Sequence, residues 1–212
     1  MKLLTPLMIL LASFISPAFG ADLPPDAIIK NTAQEVLTII KKDKDILNGN
    51  SQKIVDLVEQ KVLPHFDFER MTRLAVGRAW KTATPEQQKA LIHEFRTLLV
   101  RTYSTTLTQY RDQTVEYIPV KMDPGQTDVD VETKVIQPGA QPIQIVYSME
   151  KTDAGWKVYN IAVDAASLVI TYRSSFASEI RNHGIDGLIK TLADKNQSLK
   201  GSSLSRTVKK AS

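Results

Sequence analysis

The chain has 212 residues, no cysteine, and 27 Lys and Arg against 23 Asp and Glu, a formal net charge of +4. Without cysteine, disulfides, thiolate metal sites and thiol nucleophiles are excluded, so the fold must rely on an ordinary apolar core. The small net charge gives no footing for nucleic-acid binding, and the length suits a single domain.

The first twenty residues read as a signal peptide. Met1 and Lys2 give a positive start, and residues 3–19 carry no charge. Pro6 and Pro17 interrupt this stretch, whereas a membrane-spanning helix needs about 20 predominantly apolar residues in a row. Ala18-Phe19-Gly20 places small residues three and one positions before Ala21, as a signal peptidase requires. Cleavage is expected after Gly20, or after Ala21, and loss of Lys2 takes the charge from +4 to +3.

The remainder divides into a helical part (24–112), a strand part (113–164) and return helices (165–195). After Leu23-Pro24-Pro25, the residues Ile29, Ala33, Val36, Leu37 and Ile40 recur at helical spacing. Asn48-Gly49-Asn50 ends that segment. Ser51 is expected to cap a second helix carrying Ile54, Leu57, Val58 and Val62, which Pro64 stops. Asp67 opens a third, with Phe68, Met71, Leu74 and Ala75 on its apolar face, reaching Trp80. Thr84-Pro85-Glu86-Gln87 has the form of a capping box with proline at the first helical position. The helix it starts, with Leu91, Phe95, Leu98, Leu99, Thr102, Thr106 and Tyr110 on one stripe, is expected to run about 27 residues, roughly 40 Å.

From Thr114 the apolar period changes to two. Val129, Val131, Thr133 and Val135 alternate with polar residues, as do Ile143, Ile145, Tyr147 and Met149. Pro138-Gly139 and Asp153-Ala154-Gly155 mark the turns. Four antiparallel strands follow, in a sheet wet on one face and covered on the other. The first and fourth strands alternate too weakly to assign an inner face. Asp164 ends the last strand and is expected to cap the next helix, where Leu168, Tyr172, Phe176 and Ile180 restore the helical period as far as Gly184. A last short helix runs from Asp186 to about Lys195. Residues 196–212, with Lys200, Arg206, Lys209 and Lys210 and no acid after Asp194, are expected to be a disordered basic tail. It is either simply solvated or a contact for anionic lipid headgroups or an acidic partner.

No catalytic set is visible. His65, His93 and His183 are not spaced for a metal, and no nucleophile elbow, phosphate loop or metal-binding helix motif occurs. The chain offers bulky apolar side chains on three sides of one space instead. The long helix supplies Phe95, Leu98, Leu99, Tyr103 and Leu107, and the sheet supplies Val131, Ile145, Tyr147 and Met149. The third helix adds Phe68, Met71 and Leu74, and the return helix adds Leu168, Tyr172 and Phe176. Composition and period favour a packed core over a lined cavity but do not separate them. Two further readings stand beside a binding role: an enzyme of isomerase or dehydratase type with Asp164 in an apolar pocket, and an interaction module with a filled core and no ligand.

Several strings, in order, resemble a known family. Trp80-Lys81-Thr82-Ala83-Thr84-Pro85-Glu86-Gln87 is similar to its W-x-x-A-T-P-x-Q segment. Phe95, Leu98, Tyr103, Leu107 and Tyr110 match the continuation of its long helix. Gly155-Trp156-Lys157-Val158-Tyr159-Asn160 is similar to its G-x-W-x-x-Y-D strand, with Asn160 where Asp is common. Ser167-Leu168, Tyr172-Arg173, Phe176 and Gly184-Ile185-Asp186-Gly187-Leu188 match its closing section. On these motifs the chain is identified as a member of the MlaC, or toluene-tolerance, family of periplasmic phospholipid-binding proteins of the Mla intermembrane transport system.

The resemblance covers residues 21 to about 195. It implies an α+β fold of NTF2-like (cystatin-like) type, with helices covering a four-stranded antiparallel sheet around a deep apolar cavity. It reverses the balance toward a lined cavity that takes phospholipid acyl chains, with the fifteen apolar residues named above as its walls. It implies no enzyme activity, no cofactor and no metal, with bound phospholipid as cargo. The implied partners are an outer-membrane lipoprotein–porin complex and an inner-membrane ABC transporter with its membrane-anchored lipid-binding subunit. The chain is expected to act as a monomer in the periplasm.

Overall fold

The computed structural model describes residues 23–104, 107 and 113–211, with side chains as far as residue 200. The expected signal peptide, Thr106 and Tyr110 lie outside the described residues. Helix α1 (Pro25–Lys42) starts with proline at its first position, where no N–H is missed. Its first turns bury Ile28 and Ile29 against the sheet, and its later turns bury Val36 and Ile40 against α3. A short helix α2 (Lys44–Leu47) intervenes because the Asp43 carboxylate accepts the N–H groups of Asp45 and Ile46 at 2.9 and 3.2 Å. Helix α3 (Ser51–Lys61) is capped by Asn50, which accepts from the Lys53 N–H at 3.2 Å, and not by Ser51 as expected. Ser51 is already helical, and the Asn48-Gly49 turn brings Asn50 into the cap position.

Asp67 caps α4 (Phe68–Val76) through the Arg70 N–H at 2.8 Å. The helix stops short of Trp80 because Gly77 takes φ +67°, and residues Gly77–Thr82 continue as a 3-10 helix. The capping box at Thr84 forms as expected. Gln87 N–H donates to Thr84 Oγ1 at 3.2 Å, and Thr84 N–H to Gln87 Oε1 at 3.0 Å. Helix α5 (Pro85–Tyr103) has 19 residues, shorter than the expected 27.

The sheet has five strands where four were expected: β1 (Thr114–Tyr117), β2 (Asp128–Ile136), β3 (Ile143–Thr152), β4 (Gly155–Val163) and β5 (Ala166–Ser167). They pair in sequence order, all antiparallel. The fifth strand exists because Asp164 (φ +46°) and Ala165 (φ +66°) form a tight two-residue turn between Val163 and Ala166. Asp164 therefore caps no helix. Its carboxylate accepts the Gln144 N–H at 3.0 Å and ties the turn to β3. The helix that follows, α6 (Leu168–Ala211), takes its cap from Ser167, whose Oγ accepts the Ile170 N–H at 3.2 Å.

Helix α6 kinks at Gly184 (φ +71°, ψ −176°), where the sequence places a break. It does not end near Lys195, and the expectation of a disordered tail from residue 196 fails at its start. Asn196 is buried and donates from Nδ2 to the Glu94 carbonyl at 2.9 Å and to Glu94 Oε2 at 2.7 Å. Arg101 donates to the Asn196 carbonyl, and Leu199 packs on the helical core. These contacts hold one more helical turn than polarity alone suggests, and the backbone is helical through Ala211.

The apolar residues form three clusters. The largest joins α4, α5 and α6, with Phe95 at its centre: the Tyr172 and Phe176 rings meet it edge-on at 5.0 and 5.1 Å between centroids. A second lies between the sheet and the first turns of α1, and the third joins the end of α1 to α2 and α3.

Candidate functional site

The strand register places one set of side chains on the face of the sheet that meets α1. Val129, Val131, Thr133 and Val135 of β2 stand opposite Met149, Tyr147, Ile145 and Ile143 of β3. On β1, Val115 and Tyr117 pair with Val135 and Thr133. The register shifts at Ser148/Met149, so Met149 pairs with Val158 while Tyr147 pairs with Ile161 and Ile145 with Val163. Tyr159 is the extra residue of this bulge. Its ring turns to the opposite face, where the hydroxyl donates to Asp128 Oδ1 at 2.9 Å and the Arg70 guanidinium lies 3.5 Å above the ring. Arg70 also pairs with Asp128 and Glu150, which face each other across β2 and β3 and would otherwise repel.

The α1-facing surface is covered unevenly. Val129, Met149, Trp156 and Val158, under the first turns of α1, are buried. Further along the strands, Tyr147 and Ile161 are half-buried, as are Ile145, Val135 and Ile143, and Val163 is 37% exposed. Within the half-covered stretch the Thr133 hydroxyl is buried beside Tyr147. The neighbouring polar group is the Tyr147 hydroxyl, whose pKa is pushed up by burial and pulled back by Thr133.

The fifteen residues assigned to a cavity wall are thus not brought to one surface. Met71, Phe95, Leu98, Leu99 and Phe176 are buried in the helical cluster, with Phe68, Leu74 and Tyr172 packed against it. Val131, Met149 and Tyr147 belong to the sheet cluster, and Leu107 packs on the α1–α3 cluster. Ile145 and Leu168 are half-buried outside all three clusters. Tyr103 is 43% exposed at the end of α5. It hydrogen-bonds Tyr172, whose pKa is pushed up to about 12 by burial and by this neighbour. Sequence reasoning missed Val115, Tyr117, Ile161 and Val163. Once the bulge is allowed for, the pairing with β2 and β3 assigns all four to the apolar face.

Among the described residues, no group of three His, Cys, Asp or Glu could hold a metal ion, and no helix is long and apolar enough to cross a membrane. Asp164, the carboxylate of the enzyme reading, sits exposed on the β4–β5 turn with its oxygen on a backbone amide. A groove of about 430 Å³ lies at the start of α1, between Pro24, Met122, Gln126 and Trp156.

Fold and site together define an α+β domain whose distinguishing surface is a partly covered apolar sheet face beside a helical core. The chain belongs to the MlaC family: the family model described as "MlaC protein" matches residues 30–194. Toluene tolerance protein ttg2D of Pseudomonas putida is 27% identical over 187 residues, covering 88% of this chain and 86% of that protein. The intermembrane phospholipid transport system binding protein MlaC of Haemophilus influenzae is 21% identical over 184 residues, covering 85% and 86%. Among solved structures, the phospholipid-binding protein from Ralstonia solanacearum in complex with a phospholipid is 40% identical. It superposes with a TM-score of 0.78 over 84% of this chain and 99% of that one.

Proposed function

We propose that this protein is a periplasmic carrier that holds a phospholipid by its acyl chains and moves it between membrane complexes. The observation that carries the proposal is the 40% identity and 0.78 TM-score with a structure that contains a phospholipid. The half-covered sheet face supports it, since Tyr147, Ile145, Ile161 and Val163 are apolar residues that helix packing leaves partly open. In this reading the fold is of NTF2-like type. An acyl chain lies along these residues, and Tyr103, Leu107, Leu168 and Tyr172 border the space from the helices. Phe68, Met71, Leu74, Phe95, Leu98, Leu99 and Phe176 form the second layer behind that wall, with Val131 and Met149 as the floor.

Residues 1–20 export the chain. Its partners are an inner-membrane ABC transporter with a membrane-anchored lipid-binding subunit and an outer-membrane lipoprotein–porin complex. Burial of a methylene contributes about 0.8 kcal/mol, so two chains of about 14 buried methylenes give roughly 22 kcal/mol before costs. Non-covalent affinities reach only about 18–21 kcal/mol. The net value is therefore smaller, but release into water is still very slow, and transfer takes place at a partner that offers the chains another apolar environment.

The test is transfer. Lipid-free protein incubated with donor liposomes carrying a labelled phospholipid should take up label and deliver it to acceptor liposomes. A protein fraction that remains free of label contradicts the proposal.

A further inference from the structure

A group of exposed cations that the proposed lipid site does not use lies along one flank of α6 and the 3-10 turn beside it. With 3.6 residues per turn, Ile170, Arg173, Ala177 and Arg181 fall on one side of the helix, over about 16 Å. All four are exposed, and Ile170 is 66% exposed, the most open of the large apolar residues described. Arg173 crosses to the neighbouring turn, where its Nε lies 3.4 Å from the place a Cβ on Gly77 would take. Gly77 joins the end of α4 to the 3-10 turn, and so brings exposed Arg73, Arg78 and Lys81 to the same region.

Among the described residues no ion pair engages any of these five cations, and two acids of α6 are taken up by other groups. Glu179 accepts from His183 and Thr191 at 2.8 and 2.9 Å, and Asp186 accepts from Gln87 at 2.8 Å. Free arginines around one exposed isoleucine suit a surface with anionic groups in front of an apolar layer. Each Lys or Arg near an anionic bilayer contributes about 1 kcal/mol, and an apolar side chain at the boundary adds its own burial.

We infer that the flank formed by Ile170, Arg173 and Arg181 of α6 with Arg78 and Lys81 docks this protein on the surface of an anionic phospholipid bilayer. The contact is with headgroups in the membrane plane and is separate from the site that holds cargo. It stands whether or not the cargo proposal does, because it uses none of the cargo-wall residues.

Sedimentation of the processed protein with vesicles tests it. Binding is expected to phosphatidylcholine vesicles containing phosphatidylglycerol, not to phosphatidylcholine alone, and is lost at about 1 M salt, where the screening length is ~3 Å. Arg78→Gln combined with Arg181→Gln should weaken binding by roughly 30-fold. Arg173 stays in place in this variant because it packs on Gly77. Lys209→Gln with Lys210→Gln, in the basic tail, should bind like the parent. Lipid content and melting temperature, measured on the same samples, should not change in either variant. The inference is overturned if the tail variant, and not the flank variant, loses binding. It is also overturned if the flank variant binds like the parent, or if the parent ignores anionic vesicles and the flank instead captures an acidic protein.

Discussion

Val131 on β2 stands directly opposite Tyr147 on β3, yet Val131 is buried and Tyr147 is half-open. Cover over the apolar face thins along these two strands, from the Val129–Met149 pair, both buried, to Val135–Ile143, both half-buried. The next pair along, Thr133 and Ile145, shows the same contrast. Ile145→Asp and Tyr147→Asp should therefore remove most of the co-purified phospholipid while lowering the melting temperature by only a few degrees. Lipid content and thermal melts on the same preparations check this, and equal loss of lipid and stability would mean a filled core.

Leu98 gives the converse. It is 1% exposed inside the α4–α5–α6 cluster, with Phe95 and Leu91 as fully buried neighbours. Leu98→Ala should cost about 2–5 kcal/mol, which for a domain of this size lowers the melting temperature by roughly 5–15 °C. Lipid per folded chain should change little. A strong loss of lipid at unchanged stability would place Leu98 on the cavity wall.

Much of the helical half was legible because its signals are local. The capping box at Thr84, the cap at Asp67 and the break at Gly184 each depend on a few adjacent residues. The sheet was half legible. β2 and β3 alternate cleanly, but β4 does not, because the bulge at Tyr159 sends Val158 and Ile161 to the same face three residues apart. Asp164 was read as a cap for a similar reason: an acid before a helix looks the same whether it caps or turns. Only the φ values of Asp164 and Ala165 and the bond to Gln144 distinguish the two. The distribution of most of the fifteen apolar residues over three clusters follows from long-range packing, which periodicity does not encode. Spacing puts Phe95 and Tyr103 on one helix without saying that one is fully buried and the other exposed.

Ala165 holds φ +66° in a turn that favours glycine or asparagine. An L-residue with a Cβ in this region costs about 1–2 kcal/mol. Ala165→Gly should raise the melting temperature by roughly 2–4 °C, with lipid content unchanged. A fall in stability would show that the turn is not under strain.

Asn160 Oδ1 accepts from the Ser167 hydroxyl at 2.9 Å and lies 3.4 Å from the Val169 N–H, so it supports the start of α6. A carboxylate of the same shape can accept both bonds and adds a charge favoured at a helix N-terminus, worth about 0.3–1 kcal/mol. Asn160→Asp should melt at or above the parent temperature, and Asn160→Ala below it by about 1 kcal/mol in stability. The reverse order in a thermal melt would rule this role out.

Burial of the His65 imidazole, helped by the nearby Lys157 ammonium and opposed by Glu35, holds its pKa below the ordinary 6.5. The unfolded chain therefore binds this proton more readily than the folded one. Its contribution to stability is complete above 6.5 and is lost as pH falls through the folded-state value. The parent should lose melting temperature between about pH 7 and pH 5 more steeply than His65→Gln. Parallel profiles would contradict the assignment.

The most direct test of a lipid carrier is to ask what the purified protein contains. Denatured protein extracted into organic solvent and read by mass spectrometry should yield phospholipid in near-stoichiometric amount with the chain. A clean extract, from protein that also gains no lipid on incubation with liposomes, would contradict the account.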